Sequence, residues 1–324
     1  MHLQDKVILV TGGTGSFGHK FTEIVLREYN PKVIRIFSRG EFLQQEMRKG
    51  FDNNERLRFF IGDVRNRERV YRAMSEVDIV VHAAALKQVP ACEYNPIEAV
   101  KTNIDGAINI IDAAIDNGVE KAIAISSDKA VHPVNLYGAT KLVMERLFIQ
   151  ANVYTGPRKT RFSCVRYGNV VGSRGSVVPL FLEQRENSVI TLTDEKMTRF
   201  WMTLEQGVRF VIDSIDRMHG GEIFIPKIPS MKVTDLADTI APGVKREVIG
   251  IRPGEKLNEI LLIDEEARHS KEFDNYFVVE PEFSFWEKDN FREGNHLPVG
   301  FRYTSDNNSQ WLTNDELKAI VEKV

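Results

Sequence analysis

Short runs of apolar, largely β-branched residues alternate with longer segments of helical periodicity through the first half of the chain. The runs end in turn signals and are Val7–Thr11, Val33–Phe37, Leu57–Ile61, Asp78–His82, Lys121–Ile125 and Phe162–Tyr167. Their continuous apolar character is typical of strands buried on both faces of a parallel sheet. The segments between them include helical patterns from Pro96 to about Asn117 and from Tyr137 to Ala151. The alternation therefore predicts an α/β fold with a doubly wound parallel sheet.

The regular alternation stops near residue 171, which predicts a smaller second lobe. Small residues follow in GNVVGSRGSVVP, and later stretches mix strand-like and helical character without a second glycine fingerprint. We predict a cofactor-binding domain over residues 1–171, with a return to its sheet at about 199–225. Residues 172–198 and 226–324 are predicted to form an interleaved, mixed α/β lobe that binds substrate.

The turn after the first strand reads GGTGSFG and leads into an amphipathic helix. Gly12 permits the tight turn, Gly15 lets a pyrophosphate approach the backbone, and Gly18 lets the helix pack closely. The free amides of the helix N-terminus attract the anion. The motif is weak alone, but its place between a strand and a helix predicts a Rossmann-type dinucleotide site.

Further residues at the strand ends are predicted to contact the same cofactor. Asp63 could equally cap the next helix, and Lys87 could be a solvated loop residue. The full predicted set is Gly12, Thr14, Gly15, Ser16, Phe17, Gly18, Ser38, Arg39, Asp63, Val64, Ala83, Ala84, Lys87, Asn103, Ser126, Tyr137, Lys141, Tyr167 and Asn169.

The end of the second strand favours NADP over NAD. An NAD-selective site places a carboxylate there, against the ribose hydroxyls. This chain has Ser38 and Arg39 instead, and a guanidinium can pair with a 2′-phosphate. Glu41 lies close by and keeps NAD open as the alternative, although it also suits the start of the next helix.

The stretch SSDKAVHPVNLYGATK joins the fifth strand to the helix that follows. Tyr137 and Lys141 are one turn apart on that helix, where an ammonium can hold a phenol ready to give up its proton. Asp128 and Lys129 add an acid and a base, which simple hydride transfer does not require. Either pair could arise by chance on an ordinary helix or loop. Their combination with the glycine turn predicts a catalytic set of Asp128, Lys129, Tyr137 and Lys141.

Isolated basic residues in the second lobe suit a diphosphate-bearing substrate. Arg252 is the strongest candidate because Pro253 and Gly254 constrain its loop, although any one of these arginines could be an ordinary surface residue. The predicted substrate-binding residues are Lys87, Ser127, Asn169, Ser173, Arg174, Val178, Arg199, Arg252 and Glu255.

Composition limits the partners. The chain has 324 residues, 42% of them hydrophobic, and a net charge of −3, so no general attraction to nucleic acid or an acidic membrane is expected. Cys92 and Cys164 are in different segments without metal-ligand spacing, and a chain of this size needs no disulfide framework. No apolar run reaches the ~18 residues of a membrane span, and no signal peptide precedes the first strand. We expect a cytoplasmic protein without a metal.

The glycine turn with YxxxK resembles the extended short-chain dehydrogenase/reductase family over most of the first 170 residues. More narrowly, TGGTGSFG, FIGDVR, HAAALKQVP, SSDKAVHPVNLYGATK, VRYGNVVGSRGSVVP, MTRFW and IRPGEK together resemble the inverting UDP-N-acetylglucosamine 4,6-dehydratases of pseudaminic acid biosynthesis. The resemblance implies NADP, a nucleotide-sugar substrate and a homo-oligomer, often a hexamer. It places the family's catalytic Asp, Lys and Tyr on Asp128, Lys129 and Tyr137. Departures from the family pattern include Gly40 in place of Asp and Ser127 in place of Thr.

Three other functions are weighed against this one. A nucleotide-sugar 4-epimerase or ketoreductase needs Tyr137 and Lys141 but has no use for an acid and a base at C5 and C6. A retaining 4,6-dehydratase is separated only by the family resemblance. A non-catalytic, cofactor-sensing module would have little reason to keep both Tyr137 and Lys141.

Overall fold

The computed structural model describes residues 3–156, 160–171, 177–282 and 290–322. Helices and strands alternate regularly as far as β6 and less regularly afterwards. In chain order they are β1 Val7–Thr11, α1 Ser16–Glu28, β2 Val33–Ser38, α2 Glu41–Gly50, β3 Leu57–Ile61, α3 Arg67–Met74, β4 Ile79–His82, α4 Val89–Tyr94, α5 Pro96–Val100, α6 Gly106–Asp116, β5 Lys121–Ile125, α7 Leu136–Ala151, β6 Arg161–Val165, β7 Asn169–Val170, α8 Val177–Glu186, β8 Val189–Leu192, β9 Thr198–Met202, α9 Leu204–Arg217, β10 Ile223–Pro226, β11 Ser230–Lys232, α10 Val233–Ile240, β12 Lys245–Val248, β13 Ile260–Leu262, α11 Asp264–Ala267, β14 Ser270–Glu272, β15 Tyr276–Val279, β16 Asn295–His296, β17 Tyr303–Thr304 and α12 Asn314–Val321.

Among the described residues, ten strands form the main sheet in the order β16-β14-β15-β10-β6-β5-β4-β1-β2-β3. The strands from β3 through β10 in that order are parallel to one another, and β15, β14 and β16 are antiparallel additions at the β10 edge. The strand order reverses between β1 and β4, which is the switch point of a doubly wound sheet. The predicted fold class is confirmed.

The central strands show why the sequence adopts this sheet. Every residue of β1 and β4 is buried, as expected for strands covered by helices on both faces. The predicted helix from Pro96 to about Asn117 consists of α5, a π-helical turn at Lys101–Asp105 and α6. Within the described residues, no helix is long and apolar enough to cross a membrane.

A second apolar core lies under the smaller sheets, with β7, β9 and β11 in one and β8 and β12 in another. Its buried residues include Phe181, Trp201, Met231, Leu236 and Leu317. The strands of the second half of the chain are divided between the small sheets and the main sheet. β9 belongs to the small sheet, while β14, β15 and β16 extend the main sheet. These last strands have two to four residues each, too few for a clear alternation in sequence.

Candidate active site

A cavity of about 1170 Å³ runs along one edge of the main sheet. Its wall includes residues at or just beyond the carboxyl ends of five of the parallel strands: Gly12, Ser38, Ala83, Ser126 and Gly168. Residues of α8, β8 and β9 in the second lobe complete the wall. Doubly wound sheets bind their ligands at this edge, outside the carboxyl ends of the strands.

The glycine turn forms the phosphate-binding part of this cavity. The helix α1 begins at Ser16 with Gly15 as its N-cap, and both residues line the cavity. A Cβ on Gly18 would lie 2.3 Å from the carbonyl oxygen of Gly13, so only glycine allows α1 to pack this closely on the turn. The free amides at the start of α1 therefore face the cavity, where they suit a pyrophosphate.

Several buried polar atoms on the cavity wall have no hydrogen-bond partner within the described residues. They are Thr102 Oγ1, Ser126 Oγ, Asp128 Oδ2, Trp201 Nε1 and Glu259 Oε2. Buried polar groups are almost always paired in native proteins. These atoms therefore indicate where the polar groups of a bound cofactor and substrate would lie.

Most residues predicted to contact a cofactor do line the cavity. They are Gly12, Thr14, Gly15, Ser16, Phe17, Ser38, Arg39, Asp63, Val64, Ala83, Ala84, Lys87, Ser126, Tyr137, Lys141, Tyr167 and Asn169. Gly18 acts instead through the packing of α1. Asn103 lies outside the cavity lining, because its amide holds the loop after β4 to α7. Its Oδ1 accepts from Leu86 N at 2.8 Å, and its Nδ2 donates to Leu86 O and Thr140 Oγ1 at 2.9 Å each.

Asp128 and Lys129 lie on a short 3₁₀ turn, packed against the first turn of α7. A Cβ on Gly138 would come within 2.1 Å of the Lys129 carbonyl oxygen, so this glycine allows the turn to touch the helix beside Tyr137. The Asp128 amide donates to the carbonyl of Tyr167 at 3.1 Å, which anchors the turn to the end of β6. Packing thus brings Asp128, Lys129 and Tyr137 to one wall of the cavity.

Lys129 forms an ion pair with Asp128. Its Nζ lies 3.1 Å from Asp128 Oδ1, and the Asp128 side chain is 1% exposed. Burial lowers the pKa of Lys129, but the carboxylates of Asp128 and Glu259 outweigh it and raise that pKa above its ordinary value. These carboxylates therefore favour the ammonium form of Lys129, which donates to Asp128 Oδ1.

Tyr137 and Lys141 are buried one turn apart on α7. Burial raises the pKa of Tyr137 to about 12, against the positive charge of Lys129 and a hydrogen bond with Ser127, which lower it. The Lys141 ammonium donates to the carbonyl of Ile125 at 2.7 Å. Burial lowers the pKa of Lys141 to about 8. Burial thus favours the protonated phenol, and additional positive charge next to it would lower its pKa and favour the phenolate, the form that can take a proton.

Six of the predicted substrate-binding residues line the cavity: Lys87, Ser127, Asn169, Arg199, Arg252 and Glu255. Val178 does not, because it is fully buried in the second apolar core. Ser173 and Arg174 lie outside the described residues.

The two arginines among these six differ in what they can bind. The guanidinium of Arg199 donates to the backbone carbonyls of Thr198, Lys256 and Leu257 at 2.7–3.1 Å. That engagement leaves Arg199 less suited to a diphosphate than predicted. Arg252 is half exposed and lies 4.0 Å from Glu255. Its loop is fastened to α7 by Asn135, which donates to the carbonyl of Gly254 at 2.7 Å.

Sequence reasoning missed Glu259 and Lys256, which also line the cavity. Glu259 is 3% exposed and lies within 4.0 Å of Lys129, Arg199 and Lys256. The charged stretch GEKLNE resembles a solvated loop, so nothing local marked these residues. Across the described residues, no group of three or more His, Cys, Asp or Glu side chains could hold a metal ion.

The chain is similar to a protein family, to named enzymes and to solved structures. Residues 8–281 match the family described as "Polysaccharide biosynthesis protein". A UDP-N-acetylglucosamine 4,6-dehydratase (inverting) of Campylobacter jejuni serotype O:2 is 53% identical, over 98% of this chain and 97% of that protein. A UDP-glucose 4-epimerase of Rickettsia conorii is 44% identical, over 85% of this chain and 83% of that protein. The X-ray structure of Pen from Bacillus thuringiensis superposes with a TM-score of 0.90 at 41% identity and covers 100% of both chains.

Proposed function

The chain belongs to the polysaccharide biosynthesis protein family, within the extended short-chain dehydrogenases/reductases, and from this membership we propose that it is an inverting UDP-N-acetylglucosamine 4,6-dehydratase. The observation that carries the proposal is the Asp128–Lys129 ion pair beside Tyr137 on the cavity wall. Oxidation at C4 alone needs no such pair. Loss of water across C5 and C6 needs both an acid and a base.

Gly15, Ser16 and Ala83 on the cavity wall would hold a nicotinamide dinucleotide along the strand ends, and that cofactor would supply the hydride chemistry between C4 and C6. Tyr137 takes the proton of the 4-hydroxyl. The resulting ketone acidifies the proton on C5, which the neutral amine of Lys129 removes. Asp128 gives its proton to the departing 6-hydroxyl, and water leaves. As C6 is then reduced, C5 takes up a solvent-derived proton on its opposite face, which inverts that centre. Transfer of one proton from Lys129 to Asp128, 3.1 Å apart, produces the two forms that this elimination needs.

The test is incubation of the enzyme with UDP-N-acetylglucosamine in deuterated buffer, followed by NMR of the product. We expect a 6-deoxy-4-keto sugar nucleotide with inverted C5 configuration and deuterium at C5. A product that keeps its 6-hydroxyl and differs only at C4 would instead identify a 4-epimerase, the activity named for the Rickettsia relative. Retained C5 configuration would identify a retaining dehydratase.

We further propose NADP as the cofactor. Arg39 lines the cavity with an exposed side chain, 3.9 Å from Asp63, at the end of β2 where an NAD site carries an acid. Arg39→Ala is expected to weaken NADP binding about tenfold to a hundredfold and to change NAD binding little, because one charge-assisted contact is lost. Titration calorimetry measures both affinities.

Arg48→Ala is the control, because Arg48 is an exposed arginine outside the cavity. Equal affinity of the wild-type enzyme for the two cofactors would contradict the assignment.

A homo-oligomer is proposed as well, with the hexamer as the form that the family resemblance implies and pseudaminic acid biosynthesis as its setting. Helices α4, α5 and α7 lie together, and this part of the surface carries the exposed apolar residues Tyr94, Ile97, Val134 and Val143. Contiguous exposed apolar residues often mark an interface. Analytical ultracentrifugation is expected to give the mass of several subunits, and a monomer at micromolar concentration would contradict the proposal.

A further inference from the structure

Glu259 is a buried carboxylate that the mechanism above does not use. It directly precedes β13 and lines the cavity with 3% of its side chain exposed. Its Oε1 lies 3.6 Å from Lys129 Nζ and 3.6 Å from Arg199 Nε. A charge is expensive to bury, so a carboxylate in such a place is retained for its partners.

The backbone of Glu259 is held from both sides. Its amide donates to Ser305 Oγ at 2.9 Å, and the Ser305 amide donates to the Glu259 carbonyl at 2.8 Å. Ser305 Oγ is in turn 2.6 Å from Thr198 Oγ1 on β9. These contacts set the carboxylate at a defined distance from the 3₁₀ turn, as a residue that positions another side chain requires.

Glu259 also keeps an unused acceptor. Its Oε2 is buried, has no hydrogen-bond partner within the described residues, and lies 4.0 Å from Lys256 Nζ. An unpaired buried oxygen lowers stability. Packing alone therefore gives no reason for a glutamate here, whereas a role in the site does.

We propose that Glu259 is a positioning residue for Lys129, holding its amine opposite Asp128 and stabilising the ammonium that forms when Lys129 takes the C5 proton. The inference rests on the proposed function, in which Lys129 is the base.

The charges around Lys129 change during the elimination. When Asp128 carries the proton destined for the departing hydroxyl, it is neutral and no longer holds Lys129 by charge. Glu259 is then the carboxylate left within 4.0 Å of Lys129. An anion at this distance favours the ammonium over the amine, and the advantage grows as the proton moves onto nitrogen. Asp128 cannot donate its proton to the departing hydroxyl and serve as the counter-ion of Lys129 at the same time.

Several groups around Lys129 titrate or carry charge, so the effect of Glu259 must be separated from theirs. They are Asp128 on the 3₁₀ turn, Tyr137 on α7, Lys87 after β4, Arg199 on β9, and Lys256 before β13. Glu259 raises the pKa of Lys129, so removing its charge is expected to lower that pKa. A single neutral substitution leaves the other groups in place.

The experiment compares Glu259→Gln with wild type in two ways. Limiting acetic anhydride at about pH 9, followed by peptide mass spectrometry, reports the neutral fraction of Lys129 relative to the exposed Lys49. We expect Lys129 labelling to rise about tenfold, because loss of the neighbouring anion lowers the pKa of Lys129 and increases its neutral fraction. Steady-state dehydration is expected to show kcat lowered about tenfold to a hundredfold, with KM within about twofold.

Glu222→Gln is the matched control, because Glu222 is another buried carboxylate that lies away from the cavity. It directly precedes β10 and accepts a hydrogen bond from the Ser163 hydroxyl. It should leave Lys129 labelling unchanged.

Glu259→Asp keeps the charge one methylene further back and should give intermediate values, and it replaces the glutamine variant if that protein fails to fold. Wild-type labelling together with wild-type kcat, in whichever variant folds, overturns the proposal. Labelling needs no substrate, so a wild-type enzyme that fails to dehydrate UDP-N-acetylglucosamine refutes the proposed function and leaves the charge effect on Lys129 separately measured.

Discussion

Tyr137→Phe is expected to abolish both reduction of the nicotinamide by bound substrate and formation of product. The phenol is the group on the α7 wall that can accept the 4-hydroxyl proton, and phenylalanine removes only that oxygen. Loss of one general base lowers a rate by about 10²–10⁴-fold. Because oxidation at C4 precedes water loss, neither reduced nicotinamide nor 6-deoxy-4-keto sugar should accumulate. Stopped-flow absorbance of reduced nicotinamide and a product assay measure the two quantities.

Tyr303→Phe separates chemistry from packing in that experiment. Burial raises the pKa of Tyr303 to about 12, the same value as for Tyr137. Its hydroxyl donates to the Ile228 carbonyl at 2.8 Å, and it lies outside the cavity lining. The hydroxyl also accepts from the Ile228 amide at 2.9 Å. The control should therefore lose stability, by about 1–3 kcal/mol for two hydrogen bonds, and keep its activity. Turnover by Tyr137→Phe at the level of the control would remove the tyrosine from the mechanism.

The parts of the site that follow strand ends could be predicted because they depend on local sequence. A glycine turn between a strand and a helix, and an acid and a base eight residues before a tyrosine, have a meaning that hardly depends on the rest of the chain. Once the strands form a parallel sheet, their carboxyl ends meet at one edge. Gly12, Ala83, Ser126 and Tyr167 therefore line one cavity without any long-range information.

Side-chain direction was less predictable, because it depends on packing between distant segments. Asn103 lies in a π-helical turn and faces the loop after β4, although its position suggested the cofactor. Val178 faces the second core, whereas the neighbouring Val177 lines the cavity. Arg199 donates to carbonyls contributed by residues far along the chain. A single rotation about a helix axis exchanges a lining residue for a core residue.

The lysine that most affects the Tyr137 phenol is Lys129, not the predicted Lys141. Lys141 was predicted to hold the Tyr137 phenol, and in the structure its ammonium donates to the Ile125 carbonyl. The cation with the largest effect on the pKa of Tyr137 is Lys129. Lys129 is thus placed between an acid, a phenol and Glu259. One charged group influences both the oxidation at C4 and the elimination, which makes its removal the more informative experiment.

Lys129→Ala is expected to stop water loss while still allowing some nicotinamide reduction by bound substrate. Without the amine nothing removes the C5 proton, but Tyr137 and Lys141 remain to carry out the oxidation. Reduced nicotinamide should therefore appear in stopped flow without the 6-deoxy-4-keto product, and C5 should not exchange with deuterium. Reduction is expected to be slower than in wild type, because Lys129 lowers the pKa of Tyr137 and alanine does not.

Lys129→Ala removes a positive charge as well as a base, and Lys129→Arg separates these two effects. Alanine leaves Asp128 buried without its cation, which costs about 3–5 kcal/mol in fully buried pairs and less here, since the Lys129 side chain is 27% exposed. Lys129→Arg answers this, because arginine keeps the positive charge near Asp128 and Glu259 but stays protonated and cannot act as a base. The arginine enzyme should regain stability and faster nicotinamide reduction, and still form no product. Product formation by either variant at the wild-type rate would refute Lys129 as the base, because neither alanine nor a permanently protonated guanidinium can accept the C5 proton.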